Sequence, residues 1–177
     1  LHELAAKALG EIGDTIAVKP LCDFISHNID FMHDTSWAKP DYGIRIHVVR
    51  SAIRALGEIG DDSSIDILVK SLWWVASNPW NLDYYMPAAE ESVFALASIG
   101  TDRAIDELIR FLDESQPIQQ QFYSDQIHNL IRFIIIEKLQ EMDVNRSIDV
   151  LIDRLGDVHI KNRAAAACAL GHFRAAG

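Results

Sequence analysis

The sequence predicts an all-α solenoid, one domain of about four and a half stacked helix–turn–helix repeats. Three observations predict it. The block Ala8-Leu9-Gly10-Glu11-Ile12-Gly13-Asp14 recurs identically from Ala55 to Asp61, and more loosely from Ala95 to Thr101 and again near Lys138 to Val144 and Ala169 to Ala175. A second apolar block follows the first at a fixed distance. Aromatic residues and prolines gather between the repeats. Recurrence at such a period marks supersecondary units that are each too small to bury their own apolar face and must stack to do so.

The first element of each repeat is a helix marked by Leu9, Leu56, Leu96, Leu139 and Leu170, spaced 47, 40, 43 and 31 residues apart. Small residues dominate it: Ala5, Ala52, Ser92 and Ala166 share one column, and Ala6, Ile53, Val93, Ile136 and Ala167 the next. Short side chains allow helix axes to approach closely. Gly13, Gly60 and Gly100 suit the left-handed residue that closes a helix, and Asp14, Asp61 or Asp62, and Thr101 or Asp102 suit the cap of the next one.

The second element begins at Val18, Ile65, Ile105 and Ile148, always nine residues after the marker leucine, with apolar residues at i, i+3, i+4 and i+7. That spacing places them on one helical face. Asp66 with Lys70 and Asp106 with Arg110 stand at i, i+4. The repeats are expected at roughly 1–27, 46–77, 87–114 and 122–156, with a half repeat at 158–174, in a segment of a longer chain.

Because the two blocks keep their separation, variation in length falls on the connection to the next repeat. All four Trp, all four Tyr and four of the five Pro lie in these connections, which makes them compositionally distinct. Insertions along one edge of a solenoid often form its working face. Trp37, Tyr42, Trp73, Trp74, Trp80, Tyr84, Tyr85, Phe122 and Tyr123 are therefore candidates for an aromatic interaction edge. Equally, such aromatics tie a long connection to its own repeat. Asp66, Asp106 and Asp149 form a candidate acidic inner face.

A chain of 177 residues with 49% hydrophobic and 24% charged residues has the composition of a folded globular protein. Its formal charge is −10, which repels phosphate backbones and favours neutral or basic protein partners over nucleic acid. The densest apolar run, Ile131 to Ile136, is interrupted by Arg132, so no membrane span is expected. Two distant cysteines, Cys22 and Cys168, argue against a disulfide framework and for a reducing, cytoplasmic setting. Cys22 lies in an apolar column with Val69, Ile109 and Ile152; Cys168 lies in a mixed column, without a basic neighbour to activate it.

The block Val49 to Asp61 resembles the HEAT-like repeat of the phycobilisome-lyase type, and Asn162 to Gly171 is similar to it in part. That resemblance implies either a protein-interaction scaffold or, alternatively, a bilin lyase that carries an open-chain tetrapyrrole. In the second case Arg45, His47 and Arg50 are candidate contacts for its propionates. A di-iron hydroxylase built on similar repeats uses several His-Glu pairs, and this chain has only His2-Glu3. His27, Asp30, His33 and Asp34 match no zinc or calcium spacing and fall in an expected loop, so no metal site is predicted. No catalytic residue is singled out. The apolar ends, from Leu1 and Leu4 at one side to Phe173 at the other, suggest self-association.

Overall fold

Each copy of the repeated block closes its helix on a glycine in the left-handed region: Gly13 at φ 69°, Gly60 at 74° and Gly100 at 64°. The glycine N–H donates to the carbonyl of the marker leucine, Gly13 to Leu9 at 3.2 Å, Gly60 to Leu56 at 3.0 Å and Gly100 to Leu96 at 3.1 Å. This satisfies a terminal carbonyl that the helix itself cannot pair. The next helix is then capped from its N-terminal side. Asp14 accepts from the Ile16 N–H at 2.9 Å and Asp61 from the Ser63 N–H at 2.8 Å, and Thr101 accepts from the Ala104 N–H at 3.4 Å.

The structure is a computed structural model that describes residues 2–33, 42–77, 82–114, 122–139, 141–142 and 144–176. Among the described residues the elements are helices: α1 (His2–Ile12), α2 (Val18–His33), α3 (Tyr42–Ile59), α4 (Ile65–Ala76), α5 (Leu82–Ile99), α6 (Asp102–Glu114), α7 (Phe122–Leu139), α8 (Val144–Arg154) and α9 (Ile160–Ala176). Short 3₁₀ turns at Thr15–Ala17 and Asp62–Ser64 lead into α2 and α4. The odd-numbered helices pack in series, α1 on α3, α3 on α5, α5 on α7 and α7 on α9, while α2 meets α4 and α4 meets α6. The described helices form an all-α solenoid of stacked helix–turn–helix repeats, as expected.

The two glycines of the block serve different ends. A Cβ added at Gly57 would lie 2.7 Å from the Cα of Ala95, and one at Gly10 would lie 2.9 Å from the Cα of Ala55. The first glycine is therefore where stacked odd helices touch backbone to backbone, and the second is the left-handed turn. Around these contacts Ala52, Ile53, Leu56, Val93, Leu96, Ile135, Ile136 and Leu139 are buried in one continuous core.

Two sequence expectations are corrected. The connections are shorter than expected, because α2 runs on to His33 and α3, α5 and α7 start at Tyr42, Leu82 and Phe122. Buried Ile25 and Ile29 continue the apolar spacing of α2, which explains its length. His27, Asp30 and His33 accordingly lie on a helix and not in a loop; Asp34 lies outside the described residues. Arg45, His47 and Arg50 likewise sit inside α3.

Candidate interaction surfaces

The even-numbered helices carry the acidic column. Asp66, Asp106 and Asp149 occupy matching positions of α4, α6 and α8, and all three are exposed. Asp66 forms an ion pair with Arg103 of the next repeat while its side chain stays 83% exposed. The Arg103 guanidinium also donates to the Asp62 carbonyl at 3.3 Å, and Lys70 of α4 donates to Ser26 of α2 at 3.2 Å. Arg110 pairs with Glu107 at 2.8 Å and Glu114 at 3.9 Å along its own helix. Within the column Asp66 is thus tied to the next repeat, while all three carboxylates face solvent.

The aromatic candidates divide. Trp74 is 7% exposed and Trp73 is half-buried with its ring 4.5 Å from that of Phe111, centroid to centroid. Phe111 in turn lies 6.1 Å from the His128 ring. These residues join α4, α6 and α7 into a corner of the core, so Trp73 and Trp74 hold repeats together and Trp74 is no part of an exposed edge. The helical period of α4 turns them inward, since Leu68, Leu72 and Val75 on the same helix are buried. Tyr42, Tyr84, Tyr85, Phe122 and Tyr123 belong to the first turns of α3, α5 and α7. Trp37 and Trp80 lie outside the described residues.

The three residues proposed to meet propionates are not a free cationic cluster. Arg50 donates from Nε to Glu91 at 3.1 Å, and Arg54 joins the same carboxylate from the adjacent turn. Glu91 is 7% exposed, so these two arginines neutralise an acid buried between α3 and α5. Arg45 donates to Asn28 of α2 at 3.2 Å, whereas His47 is exposed. Arg50 is engaged because helix stacking sets Glu91 beside it, a pairing 41 residues apart. Cys22 is half-buried, and burial, then the nearby Asp23 and Asp61, pushes its thiol pKa up, which disfavours the nucleophilic thiolate. Cys168 is exposed. Among the described residues no three His, Cys, Asp or Glu side chains gather as a metal site, and no helix is long and apolar enough to cross a membrane.

A buried polar network that sequence reasoning missed lies where α6, α7, α8 and α9 meet. Arg132 of α7 is 1% exposed; it donates to the Leu112 carbonyl at 2.6 Å and forms an ion pair with Asp157, in the turn before α9. Arg154 reaches Asp113 at 2.7 Å from α8. Asp157 further accepts from the His159 N–H at 2.8 Å and the Asn162 amide at 3.3 Å. The interrupting Arg132 in an otherwise apolar run was the available signal, since a cation on a core face demands a buried partner.

Burial by itself would raise the Asp157 pKa, but the His159 N–H, the Arg132 guanidinium and the Asn162 amide outweigh it and hold the carboxyl below the ordinary aspartate value. The folded state therefore binds fewer protons at this site than the unfolded chain. Its contribution is fully present above the unfolded value of about 3.9 and is lost as pH falls through the lower folded value. Urea titrations from pH 7 to 3 are expected to show the stability gap between wild type and Arg132→Met narrowing as pH falls toward 3, as the stranded carboxyl of the variant takes up a proton before that of the wild type. A gap that is constant with pH would contradict this assignment.

Beside this network, Gln126, Asn129, Leu130 and Phe133 of α7 face His159, Ile160, Lys161 and Asn162 across an open cavity of about 840 Å³. A cavity of about 300 Å³ shares Phe133 and Lys161 with it and continues to Cys168 and His172. At the other end of the solenoid an apolar cavity of about 310 Å³ lies among Ala6, Leu9, Leu21, Phe24 and Val48.

Comparison with known families finds that the model of the family described as PBS lyase HEAT-like repeat matches residues 3–27, 48–72 and 88–114, which correspond to the pairs α1–α2, α3–α4 and α5–α6. No curated protein matches the chain.

Proposed function

We propose that this HEAT-like repeat protein, whose repeats are of the PBS lyase type, is a protein-interaction scaffold that offers the acidic side of its even-numbered helices to a basic partner. The observation that carries this reading is the column of exposed carboxylates at matching positions, Asp66, Asp106 and Asp149, repeated with the period of the fold. Stacked repeats hold such a column at fixed spacing, so a partner meets an ordered row of charges instead of a mobile cluster. The net charge of −10 adds a long-range attraction for cations. Backbone contacts at Gly10 and Gly57 and the Glu91 pair keep neighbouring repeats from sliding, which supports complementarity over an extended surface.

The test is a titration with an oligolysine peptide at several salt concentrations. Affinity is expected to fall as salt rises, because exposed charges are screened within a Debye length of about 8 Å at physiological ionic strength. Changing Asp66, Asp106 and Asp149 together to Asn should weaken binding about tenfold, from three exposed interactions of about 0.2–1 kcal/mol each. Equal affinity in the triple variant, or binding indifferent to salt, would overturn the reading.

A further inference from the structure

We propose that this chain stacks on a second copy of itself: the outward face of α8 and α9 in one copy meets the outward face of α1 in the next, in the register that joins its own repeats.

Two successive contacts within the solenoid pair the same two faces. The glycine of one block meets the alanine of the next, Gly10 against the Ala55 Cα and Gly57 against the Ala95 Cα. Each half of this contact recurs once without the other. Gly171 follows Leu170 as Gly10 follows Leu9, and a Cβ added there would meet nothing within 4 Å. Ala8 precedes Leu9 as Ala55 precedes Leu56, and it is exposed, whereas Ala55, Ala95 and Ala169 at the same position are buried.

The neighbouring positions behave alike. Ile25, Leu72 and Leu112 occupy one position of successive even-numbered helices and are at most 1% exposed, but Leu155 at that position of α8 is 43% exposed. Ala167 of α9 is exposed where Ile53, Val93 and Ile136 are buried, and Ala5 of α1 is exposed where Ala52 and Ala166 are buried. Ile152 of α8 and Ile12 of α1, both exposed, widen the two faces. Burial of these positions is the rule between repeats, because stacking is what removes their apolar surface from water.

The occupant follows from the continuity of that interface. A close approach at Gly171 needs a helix that offers a small residue with the matching small and apolar positions beside it, and the chain carries this pattern on its opposite side. Charge agrees with it. The α9 sequence contains Lys161, Arg163 and Arg174 and no acidic residue, whereas α1 sets Glu3 and Glu11 against Lys7. Because the two faces differ, the contact is heterologous: each added copy leaves one face open, so growth continues unless a ring closes.

The test is sedimentation velocity of the whole chain over a range of concentrations, which is expected to show reversible association beyond the dimer. Ala8→Arg and Gly171→Arg each place a long side chain on one face, at exposed positions where arginine is a good helix former. Each variant alone should associate at least about tenfold more weakly, the size of an overpacking effect at a close contact. Mixed, the intact α1 face of Gly171→Arg meets the intact α9 face of Ala8→Arg, and the mixture should form a one-to-one dimer and stop there. Ile12→Lys and Ala167→Arg, also at exposed positions, stand in for a variant that fails to fold by circular dichroism. A wild type still monomeric at about 1 mM, a variant that assembles like the wild type, or a mixture that stays monomeric would overturn the proposal. So would assembly that survives Ala8→Arg and is lost when Asp66, Asp106 and Asp149 are changed to Asn, which would place the basic α9 on the acidic column. That triple variant should instead stack like the wild type while losing oligolysine, so this inference and the scaffold reading fail separately.

Discussion

Replacing Arg132 with Met is expected to lower the unfolding free energy by about 3–5 kcal/mol, because it leaves Asp157 buried without its counter-charge. For a domain of this size the same loss lowers the melting temperature by about 6–20 °C. The guanidinium is 1% exposed and has two duties, ion-pairing with Asp157 and capping the Leu112 carbonyl at the end of α6. Met fills similar volume but supplies neither. Asp157→Ala should cost a comparable amount, since it strands the arginine and frees the His159 N–H. The double variant should cost clearly less than the sum, because removing both charges removes the desolvation penalty with them. Chemical denaturation of the four proteins measures this directly, and a single-variant loss below about 1 kcal/mol would show that the pair is not desolvated as described.

Gly57→Ala should cost about 1–3 kcal/mol by overpacking, although alanine is the better helix former at an interior position. Its Cβ would meet the Ala95 Cα at 2.7 Å and Cβ at 2.8 Å, and backbone cannot yield unless α3 and α5 move apart. Gly60→Ala offers the contrast. Nothing lies within 4 Å of a Cβ there, so its cost of about 1–2 kcal/mol comes from the left-handed φ of 74° alone. The two mechanisms separate in a cycle: Ala95→Gly should partly rescue Gly57→Ala and leave the Gly60→Ala loss unchanged. Thermal unfolding of the single and paired variants decides it, and equal effects of Ala95→Gly on both would refute the close-approach account.

Much of the architecture could be read from the chain because its determinants are local. The spacing of Leu56, Ile65, Leu68 and Leu72 fixes two helices and their buried faces, and Gly60 with Asp61 fixes the turn between them. The same logic misjudged Trp74. Its place in a connection rich in aromatics suggested an edge, whereas continuation of α4 by one more turn rotates it into the core. Arg50 was read as available for an anion because its partner, Glu91, belongs to the following repeat.

By itself the sequence determined the repeat, the order of its helices, the left-handed glycine turns and the excess of acidic charge, all of which depend on residues within a few turns of one another. Only the tertiary structure decided which polar residues meet. Arg132 and Asp157 are 25 residues apart, Arg54 and Glu91 37 and Arg154 and Asp113 41, and each pair joins different elements of the fold. A 3.6-residue period states which face of a helix is buried, but the partner across the interface depends on the axial offset between stacked helices. That offset is set by the close approach at Gly10 and Gly57 and by the length of each connection, quantities that no single helix encodes.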